Sequence, residues 1–287
     1  MNPLIRELTP DEFPKRLLEI PDKPKKLFIR GQMPPEDYKW LAVVGSRKYT
    51  PYGRQVCEKL IAGLHGQPVV IVSGLALGID ALAHETALDN GLTCVAVPGS
   101  GLDPKVIYPA SNYQLAERII DKGGALLSEF EPDFQATTWS FPQRNRIMAG
   151  LSDAILVIEA EIKSGTLITS RLATDYNREV MTVPGSIFSS TSEGPHMLIR
   201  LGATPITTSK DILDALGLVS DSPLAVEDRY KDISMEEMAI IKLLAIPTSR
   251  DELIRKSGMS VSRANSLLSV MEIKGLIKES LGEIRLS

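Results

Sequence analysis

Two arginines flank an asparagine in the segment 140–153, where Ser-Phe-Pro-Gln is followed by Arg144-Asn145-Arg146. A guanidinium group presents N–H donors in a planar fork that matches two phosphate oxygens, so an arginine here can clamp a phosphate. It can instead pair with a carboxylate and fix the local backbone, for which Asp153 and Glu159 are candidates. Both roles stay open, with one arginine in each.

Four glycine-bearing segments each follow a short apolar run, at residues 45–48, 73–78, 159–166 and 183–186. Glycine allows the backbone to approach an anion closely, and the free N–H groups at a helix start point at it. None of the four fits GxGxxG or GxxxxGK[ST], so each one alone is better explained as a tight turn that needs glycine. Four such turns on one edge of a sheet favour a crevice that binds phosphate groups.

Little in the sequence supports catalysis or metal binding. Asp80 and His84 share a helix face, but an Asp near a helix start is more often a cap, and His84 faces the side of apolar neighbours. Cys57 and Cys94 stand far apart in apolar surroundings, as expected of buried thiols in a reducing compartment. We therefore predict no catalytic residue, no metal and no cofactor.

Short apolar runs alternate with amphipathic helical patterns from Trp40 onward. Nearly continuous apolar strands between helices predict a parallel sheet that is covered on both faces. The expected fold is therefore α/β, with a doubly wound, mainly parallel, Rossmann-like sheet. The predicted strands are 41–45, 69–73, 94–98, 125–129, 154–159, 180–184 and 204–207, and the predicted helices include 52–65, 79–90, 112–122 and 167–177.

Changes in composition divide the chain into four predicted segments. Residues 1–40 form a proline-rich leader, residues 41–217 the Rossmann-like domain and residues 218–233 a polar linker. Residues 234–287 form a small C-terminal domain whose pattern of three helices and a hairpin predicts a winged helix. Its predicted elements are 235–245, 250–256, 261–274, 276–279 and 283–286.

The overall composition is that of a globular protein, with 43% hydrophobic and 24% charged residues among 287. A formal net charge of −4 argues against a basic coat for nucleic acid, so a polyanion would have to bind in a local cationic pocket. The N-terminus lacks a signal-peptide pattern and no stretch has membrane-spanning length, so we expect a cytoplasmic protein without membrane contact.

The glycine loops and the arginine segment, in this order, resemble the DNA-processing protein A (DprA/Smf) family. The resemblance covers about residues 15–217, and the tail is similar to the winged helix that many members carry. The motifs that carry it are Gly45-Ser46-Arg47, Ser73-Gly74-x-Ala76-x-Gly78-Ile79-Asp80-x-x-Ala83-His84, Gly101-Leu102-Asp103, Tyr108-Pro109-x-x-Asn112, Leu127-Ser128-Glu129, Phe141-Pro142-x-Arg144-Asn145-Arg146-Ile147-x-Ala149-Gly150-Leu151-Ser152, Ser164-Gly165-Thr166 and Val183-Pro184-Gly185.

This resemblance implies a homodimer that binds single-stranded DNA, protects incoming DNA and helps to load the RecA recombinase in natural transformation, without catalysis. Two departures are visible: a leader of 40 residues is too short for the helical N-terminal domain of many members, and Leu77 stands where a basic residue is usual. The implied DNA site consists of Ser46, Arg47, Ser73, Gly74, Arg144, Asn145, Arg146, Lys163, Ser164, Gly165 and Thr166.

In this interpretation the cations and the backbone amides of the loops hold successive phosphates of an unpaired strand. Aromatic residues make up only 5% of the chain, so we expect base stacking to be a minor term. Affinity should then fall steeply with salt.

Two other functions are possible for a chain with these loops. The Lonely guy-like phosphoribohydrolases use a similar crevice, but their Pro-Gly pair corresponds to Ile162-Lys163-Ser164 here and their catalytic glutamate to Thr169. Without that carboxylate, an oxocarbenium-like transition state is hard to stabilise.

A nucleotide-sensing regulator would need a winged helix that grips duplex DNA. Residues 234–287 hold eight Lys/Arg and seven Asp/Glu, so a contact between this unit and another protein is as plausible as DNA binding.

Overall fold

The computed structural model describes residues 4–218, 233–244, 248–274, 276–280 and 283–286. The chain divides into two compact units, Met1–Ser220 and Asp221–Ser287. Among the described residues, no helix is both long and apolar enough to cross a lipid bilayer.

The first unit is built on one nine-stranded sheet with the order β1-β2-β6-β5-β4-β3-β7-β8-β9. Strands β3 to β9 pair in parallel, whereas β1 and β2 add antiparallel strands beside β6. The strands are β1 Arg6–Glu7, β2 Phe28–Gly31, β3 Lys39–Val44, β4 Val69–Ser73, β5 Thr93–Ala96, β6 Ala125–Ser128, β7 Ala154–Val157, β8 Glu179–Thr182 and β9 Thr204–Pro205.

Helices cover both faces of this sheet because its central strands are apolar on both sides; all five residues of β4 are buried, for example. One apolar layer lies under α2, α3, α4 and α8, and the other under α1, α5, α6 and α7. The helices are α1 Lys15–Leu18, α2 Pro51–Ala62, α3 Ile79–Asp89, α4 Tyr113–Asp121, α5 Ser140–Leu151, α6 Thr166–Asp175, α7 Glu193–Arg200 and α8 Ser209–Ala215.

The proline-rich N-terminal segment contributes to this same unit. Its strands β1 and β2 extend the sheet, and Phe13, Leu17 and Leu27 are buried in the core. The four-segment division of the chain stays a prediction. Its linker, residues 218–233, lies almost entirely outside the described residues.

The second unit contains α9 Met235–Leu243, β10 Thr248–Ser249, α10 Arg250–Ser257, α11 Val261–Ile273, β11 Ile277–Ser280 and β12 Glu283–Leu286. Its three strands pair in the order β10-β12-β11. Ser260 caps α11 by accepting from Arg263 N, and Gly258 ends α10 at φ +68°, a left-handed conformation that favours glycine. A core of Ile240, Leu253 and Leu268 holds the helices together, and the predicted winged helix is confirmed.

The predicted fold class is confirmed, and the predicted strands match the observed ones to within a few residues. The main difference lies at residues 140–151, which form helix α5, although the sequence analysis assigned no helix there. Arg144, Asn145 and Arg146 therefore stand on successive positions of a helix and point in different directions.

Candidate nucleic-acid interface

A cavity of about 540 Å³ lies at the carboxyl edge of the sheet. From β3 the chain proceeds through β4, β5 and β6 on one side, and then returns to add β7 and β8 on the other. Loops that leave β3 and β7 therefore diverge at this point, which is where open α/β sheets bind their ligands. The cavity is lined by the loops after β3 and β7 and by the first turns of α5 and α6.

The loop after β3 places Ser46, Arg47 and Lys48 at the cavity. Ser46 Oγ fixes this turn, since it accepts from Lys48 N and donates to Lys48 O. Gly78, at φ +88°, lets the next loop approach closely, because a Cβ there would lie 2.3 Å from Ser46 O. With the backbone held in this way, the exposed side chains of Arg47 and Lys48 are free to reach a ligand.

The loop after β7 forms the opposite wall with Lys163, Ser164 and Gly165 and leads into α6 at Thr166. Thr166 Oγ1 donates to Gly45 O at 3.2 Å and so joins this loop to the one after β3. Ser164 Oγ accepts from Thr166 N, which ties down the first turn of the helix. Lys163 is exposed, so its ammonium group adds a mobile positive charge to this wall.

Arg144 lines the same cavity but is only 5% exposed. Its Nη1 donates to Gly74 O and to Val97 O, so the guanidinium joins the loops after β4 and β5 to helix α5. Burial lowers the pKa of Arg144 to about 10, while the nearby Asp80 favours its charged form. Much of the donor capacity that a phosphate clamp would use is therefore already taken by the protein.

Arg146 does not line the cavity. Its Nη2 donates to Glu129 Oε2 at 2.5 Å, and both side chains are largely buried. The sequence analysis expected one arginine to pair with Asp153 or Glu159, but the partner is Glu129. Asp153 instead pairs with Arg16, and Glu159 accepts from Thr50.

The loop after β4 contributes less than expected to the cavity. Ser73 is fully buried and its Oγ donates to Val43 O, while Gly74 borders a smaller, adjoining pocket of about 30 Å³. Gly74 N donates to the carboxylate of Asp80 at 3.0 Å, and burial raises the pKa of that carboxyl group. A phosphate would have to compete with Asp80 for this amide.

Two further amides of the predicted phosphate cradle are engaged as well. Ser164 N donates to Glu161 O at 2.9 Å, and Thr166 N donates to Ser164 Oγ at 3.2 Å. The side-chain cations, rather than these amides, are the donors that the cavity offers to an anion.

A row of aromatic and cationic side chains leads away from the cavity on the β5 side. The Arg47 guanidinium lies 5.7 Å from the centre of the Phe141 ring, and the Tyr108 ring lies 5.6 Å beyond Phe141. The predicted site did not include Phe141, although it stands three positions before Arg144 and so on the same helix face. Leu77 lines the small pocket beside this row.

The structure thus brings together most of the predicted site. Gly74 lines the adjoining pocket, whereas Ser73 and Arg146 line neither the main cavity nor that pocket. The predicted residues that line the main cavity are Ser46, Arg47, Arg144, Asn145, Lys163, Ser164, Gly165 and Thr166.

The lining carries more positive than negative groups: Arg47, Lys48, Arg144 and Lys163 face two acids, Glu161 and Asp80. In the part of the chain that the structure describes, no cluster of His, Cys, Asp and Glu could hold a metal ion. A Rossmann-like sheet with a cationic cavity at its switch point, in one chain with a winged helix, defines a class of proteins that bind nucleotides or nucleic acids.

Comparison with known proteins narrows this class. Residues 5–217 match the family described as DNA recombination-mediator protein A, and residues 234–282 match the DprA winged helix domain. The chain belongs to the DNA recombination-mediator protein A family.

Individual relatives support this assignment. The chain is 37% identical to Protein Smf of Escherichia coli over 272 residues, which cover 92% of this chain and 72% of that protein. It is 44% identical to the DNA processing protein DprA of Streptococcus pneumoniae over 203 residues, which cover 71% of each chain.

Solved structures show the same likeness. The crystal structure of S. pneumoniae DprA matches with a TM-score of 0.68 and 40% identity, covering 73% of this chain and 74% of that one. The DprA structure from Helicobacter pylori, described for its unique single-stranded DNA binding mode, matches with a TM-score of 0.65 and 32% identity, covering 75% and 98%.

Proposed function

We propose that this chain binds single-stranded DNA in the cavity at the ends of β3 and β7. The observation that carries the proposal is the convergence of Arg47, Lys48 and Lys163, all exposed, on one cavity of about 540 Å³. A volume of this order accommodates one or two nucleotides, and the cations are placed to neutralise their phosphates. The family and the H. pylori relative point to the same ligand.

In the cell, this binding would protect incoming DNA and help to load RecA during natural transformation, in the cytoplasm. The description of the family as recombination mediators supports this role, and the names of the relatives support DNA processing. We further propose that the chain acts as a homodimer, which sedimentation in solution would detect.

We propose binding without catalysis at this site. The carboxylates that line the cavity are Asp80, which is buried and bound to Gly74 N, and Glu161, which is exposed. Thr169 stands where the phosphoribohydrolases have their catalytic glutamate, and it is 1% exposed. Asp80 is occupied by its hydrogen bond to the Gly74 amide and Glu161 lies in solvent, so the two do not form a positioned pair of an acid and a nucleophile. Incubation with nucleoside monophosphates should release no free base.

The test is a titration of fluorescent oligo-dT and of a matching duplex with wild type and with the Arg47→Ala/Lys163→Ala double variant. We expect the single strand to bind more tightly than the duplex. The double variant should lose at least about 100-fold in affinity for the single strand, since hydrogen bonds to charged groups contribute about 1.5–3 kcal/mol each and two are removed.

The same titrations at several salt concentrations report on phosphates directly. Removal of two phosphate contacts should lower the slope of log affinity against log salt by about 1.4, at about 0.7 per phosphate of a single strand. Lys122→Ala is the matched control, because Lys122 is an exposed cation at the end of α4, on the opposite edge of the sheet. If wild type binds neither DNA form, or if Lys122→Ala weakens binding as much as the double variant, the proposed site is wrong.

A further inference from the structure

The exposed aromatic side chains of the described residues all lie along one edge of the sheet. Each stands on a connection that leaves the carboxyl end of a strand, the same edge at which the cavity opens. The proportion of aromatic residues in a sequence does not show such a concentration, so the expectation of minor stacking has to be reconsidered for this edge. These residues are Tyr49, Tyr52, Tyr108, Trp139 and Phe188.

The turn at 186–189, in the connection between β8 and α7, carries the most exposed of these rings. Phe188 is 94% exposed and Ile187 beside it is 80% exposed. Single exposed apolar residues are common on protein surfaces and need no explanation. Two adjacent ones on the same sheet edge as a proposed DNA site are different, because they offer an apolar platform on the side where the strand would run.

Hydrogen bonds hold this turn in place. Ser189 N donates to Ser186 O at 3.1 Å, and Phe188 N donates to Ser186 Oγ at 3.2 Å. Ser189 Oγ and Thr191 Oγ1 lie 2.9 Å apart, within hydrogen-bond distance. The backbone is therefore fixed while both apolar side chains point to solvent, so the ordering of the platform is largely complete before a ligand arrives.

The same connection is hydrogen-bonded to the start of α2 and to the residue after β7 that binds it. Tyr52 Oη donates to Pro184 O at 2.6 Å, which links the first turn of α2 to the segment before the platform. The buried carboxylate of Glu159 accepts from both Thr50 and Thr191. The connection that carries the platform is therefore joined, through Tyr52 and Glu159, to the segment that follows Arg47 and the loop after β3.

The chemistry of the turn suits a nucleic acid. No acidic residue occurs from Pro184 to Ser192, so nothing in that segment repels phosphates, and its serines supply hydroxyl donors. β8 lies two strands from β3, a distance of about 10 Å at the usual strand spacing of about 4.8 Å. About three nucleotides stacked at a rise of about 3.4 Å cover that distance.

We propose that the turn 186–189 extends the DNA site, and that the rings of Phe188 and Tyr52 stack the bases of the strand just outside the cavity, with Ile187 as an apolar neighbour of these rings. This inference rests on the proposed binding of single-stranded DNA. It adds a second mode of contact to the first: cations hold phosphates at the cavity, and rings hold bases beside it. Every base has a π-face, so such stacking tolerates any sequence.

The test compares Phe188→Ala with wild type on two oligo-dT lengths, one that fills only the cavity and one several nucleotides longer. Loss of one stacking platform should weaken the binding of the longer strand by about 5- to 150-fold and leave the shorter one unchanged. A strand of the longer length can also be made without bases at the nucleotides outside the cavity. Wild type should bind this strand as weakly as Phe188→Ala binds the intact longer strand.

Two control variants separate stacking from other effects. Phe188→Leu keeps an apolar side chain but removes the ring. Its affinity for the longer strand should therefore fall by most of the loss that Phe188→Ala shows. Leu4→Ala removes another exposed apolar side chain, close to β1 at the far end of the sheet from β8, and should bind like wild type. Thermal melting checks that each variant is folded.

The outcomes distinguish this inference from the proposed function. If wild type binds no single strand, the proposed function fails and the inference falls with it. If wild type binds and Phe188→Ala binds equally well, only the inference fails. It also fails if both lengths weaken together, or if Phe188→Ala changes self-association in sedimentation and leaves DNA affinity intact, which would indicate a protein contact.

Discussion

The cavity of the first unit and the winged-helix unit both carry Lys and Arg side chains, but the two regions hold them differently. At the cavity, Arg47, Lys48 and Lys163 are exposed, and within the described part of the chain none of the three forms an ion pair. In the winged helix, acidic partners hold four of the cations. These pairs are Arg250–Glu279, Lys256–Glu252, Arg263–Glu236 and Lys274–Glu237.

This difference shows that the number of cations in a region says little about its attraction for DNA. An unpaired cation can neutralise a phosphate and release a counterion, whereas a paired one must first leave its carboxylate, which then repels the phosphate. The cavity therefore suits a polyanion, although the whole chain has a net charge of −4.

Arg144 provides the largest test of the comparison, because it lies at the cavity but is held by the protein. Replacement by Ala would leave Gly74 O and Val97 O without their donor and remove the positive charge beside buried Asp80. We expect Arg144→Ala to lower the free energy of unfolding by about 3 kcal/mol, as is usual when a buried charge loses its partner. Urea unfolding of the first unit measures the loss.

Arg47→Ala is the matched control, since it removes an exposed arginine from the same cavity. It should change the free energy of unfolding by no more than about 0.5 kcal/mol while weakening DNA binding. Should Arg144→Ala be as stable as wild type and bind DNA poorly, Arg144 would belong with the cations that act on the ligand.

His84 should make the stability of the first unit depend on pH in a way that the stability of the second unit does not. It is fully buried on α3, and burial lowers its pKa to about 4 from an ordinary value of 6.5. Between these values the unfolded chain binds a proton that the folded chain does not, so stability rises with pH and falls on acidification. The first unit should lose about 2 kcal/mol of stability between about pH 7 and pH 5 from this group alone.

The second unit contains no histidine, so its unfolding should lack this contribution. His84→Gln removes the titrating ring, and the unfolding of the first unit should then become less sensitive to acid. Urea unfolding at several pH values, followed separately for each unit, provides the measurement. An equal loss of stability in wild type and His84→Gln would show that other groups cause the acid sensitivity.

The sequence predicted the architecture well because buried parallel strands have a distinctive pattern. Runs such as Val69–Ser73 are apolar throughout, and glycine loops and helical patterns follow them, so strand and helix alternate visibly. Strands β1 and β2 were not predicted, since they are short and lie between prolines that favour an irregular segment. These strands form because β2 pairs with β6, which lies over 90 positions away along the chain, and β1 then pairs with β2.

The site was predicted less completely, for a physical reason. Residue type identifies a donor, but its direction depends on the helix or turn that carries it. Arg144 and Arg146 look equivalent in the sequence, yet they lie two positions apart on α5 and point to Gly74 O and to Glu129, respectively. The exposure of Phe188 likewise follows from the turn that presents it.

The smallest expected effect concerns the winged helix. Arg250→Ala/Arg263→Ala removes two of its paired cations, and we expect affinity for both single-stranded and duplex DNA to stay within about twofold of wild type. Arg263 stands near the start of α11, the helix that would enter the major groove if this unit read duplex DNA in the usual way. Fluorescence anisotropy at low salt, where electrostatic binding is strongest, gives this prediction its most demanding test.

The reverse variant asks whether the acidic partners are what suppress duplex binding. Glu236→Gln/Glu279→Gln leaves both arginines in place without the carboxylates that hold them. Because ion pairs that are this exposed contribute only about 0–1 kcal/mol each, freeing both arginines should raise duplex affinity by about 30-fold at most. A loss of more than about tenfold in duplex affinity for the arginine variant would mean that DNA opens these pairs, and the contrast between the two regions would then be wrong.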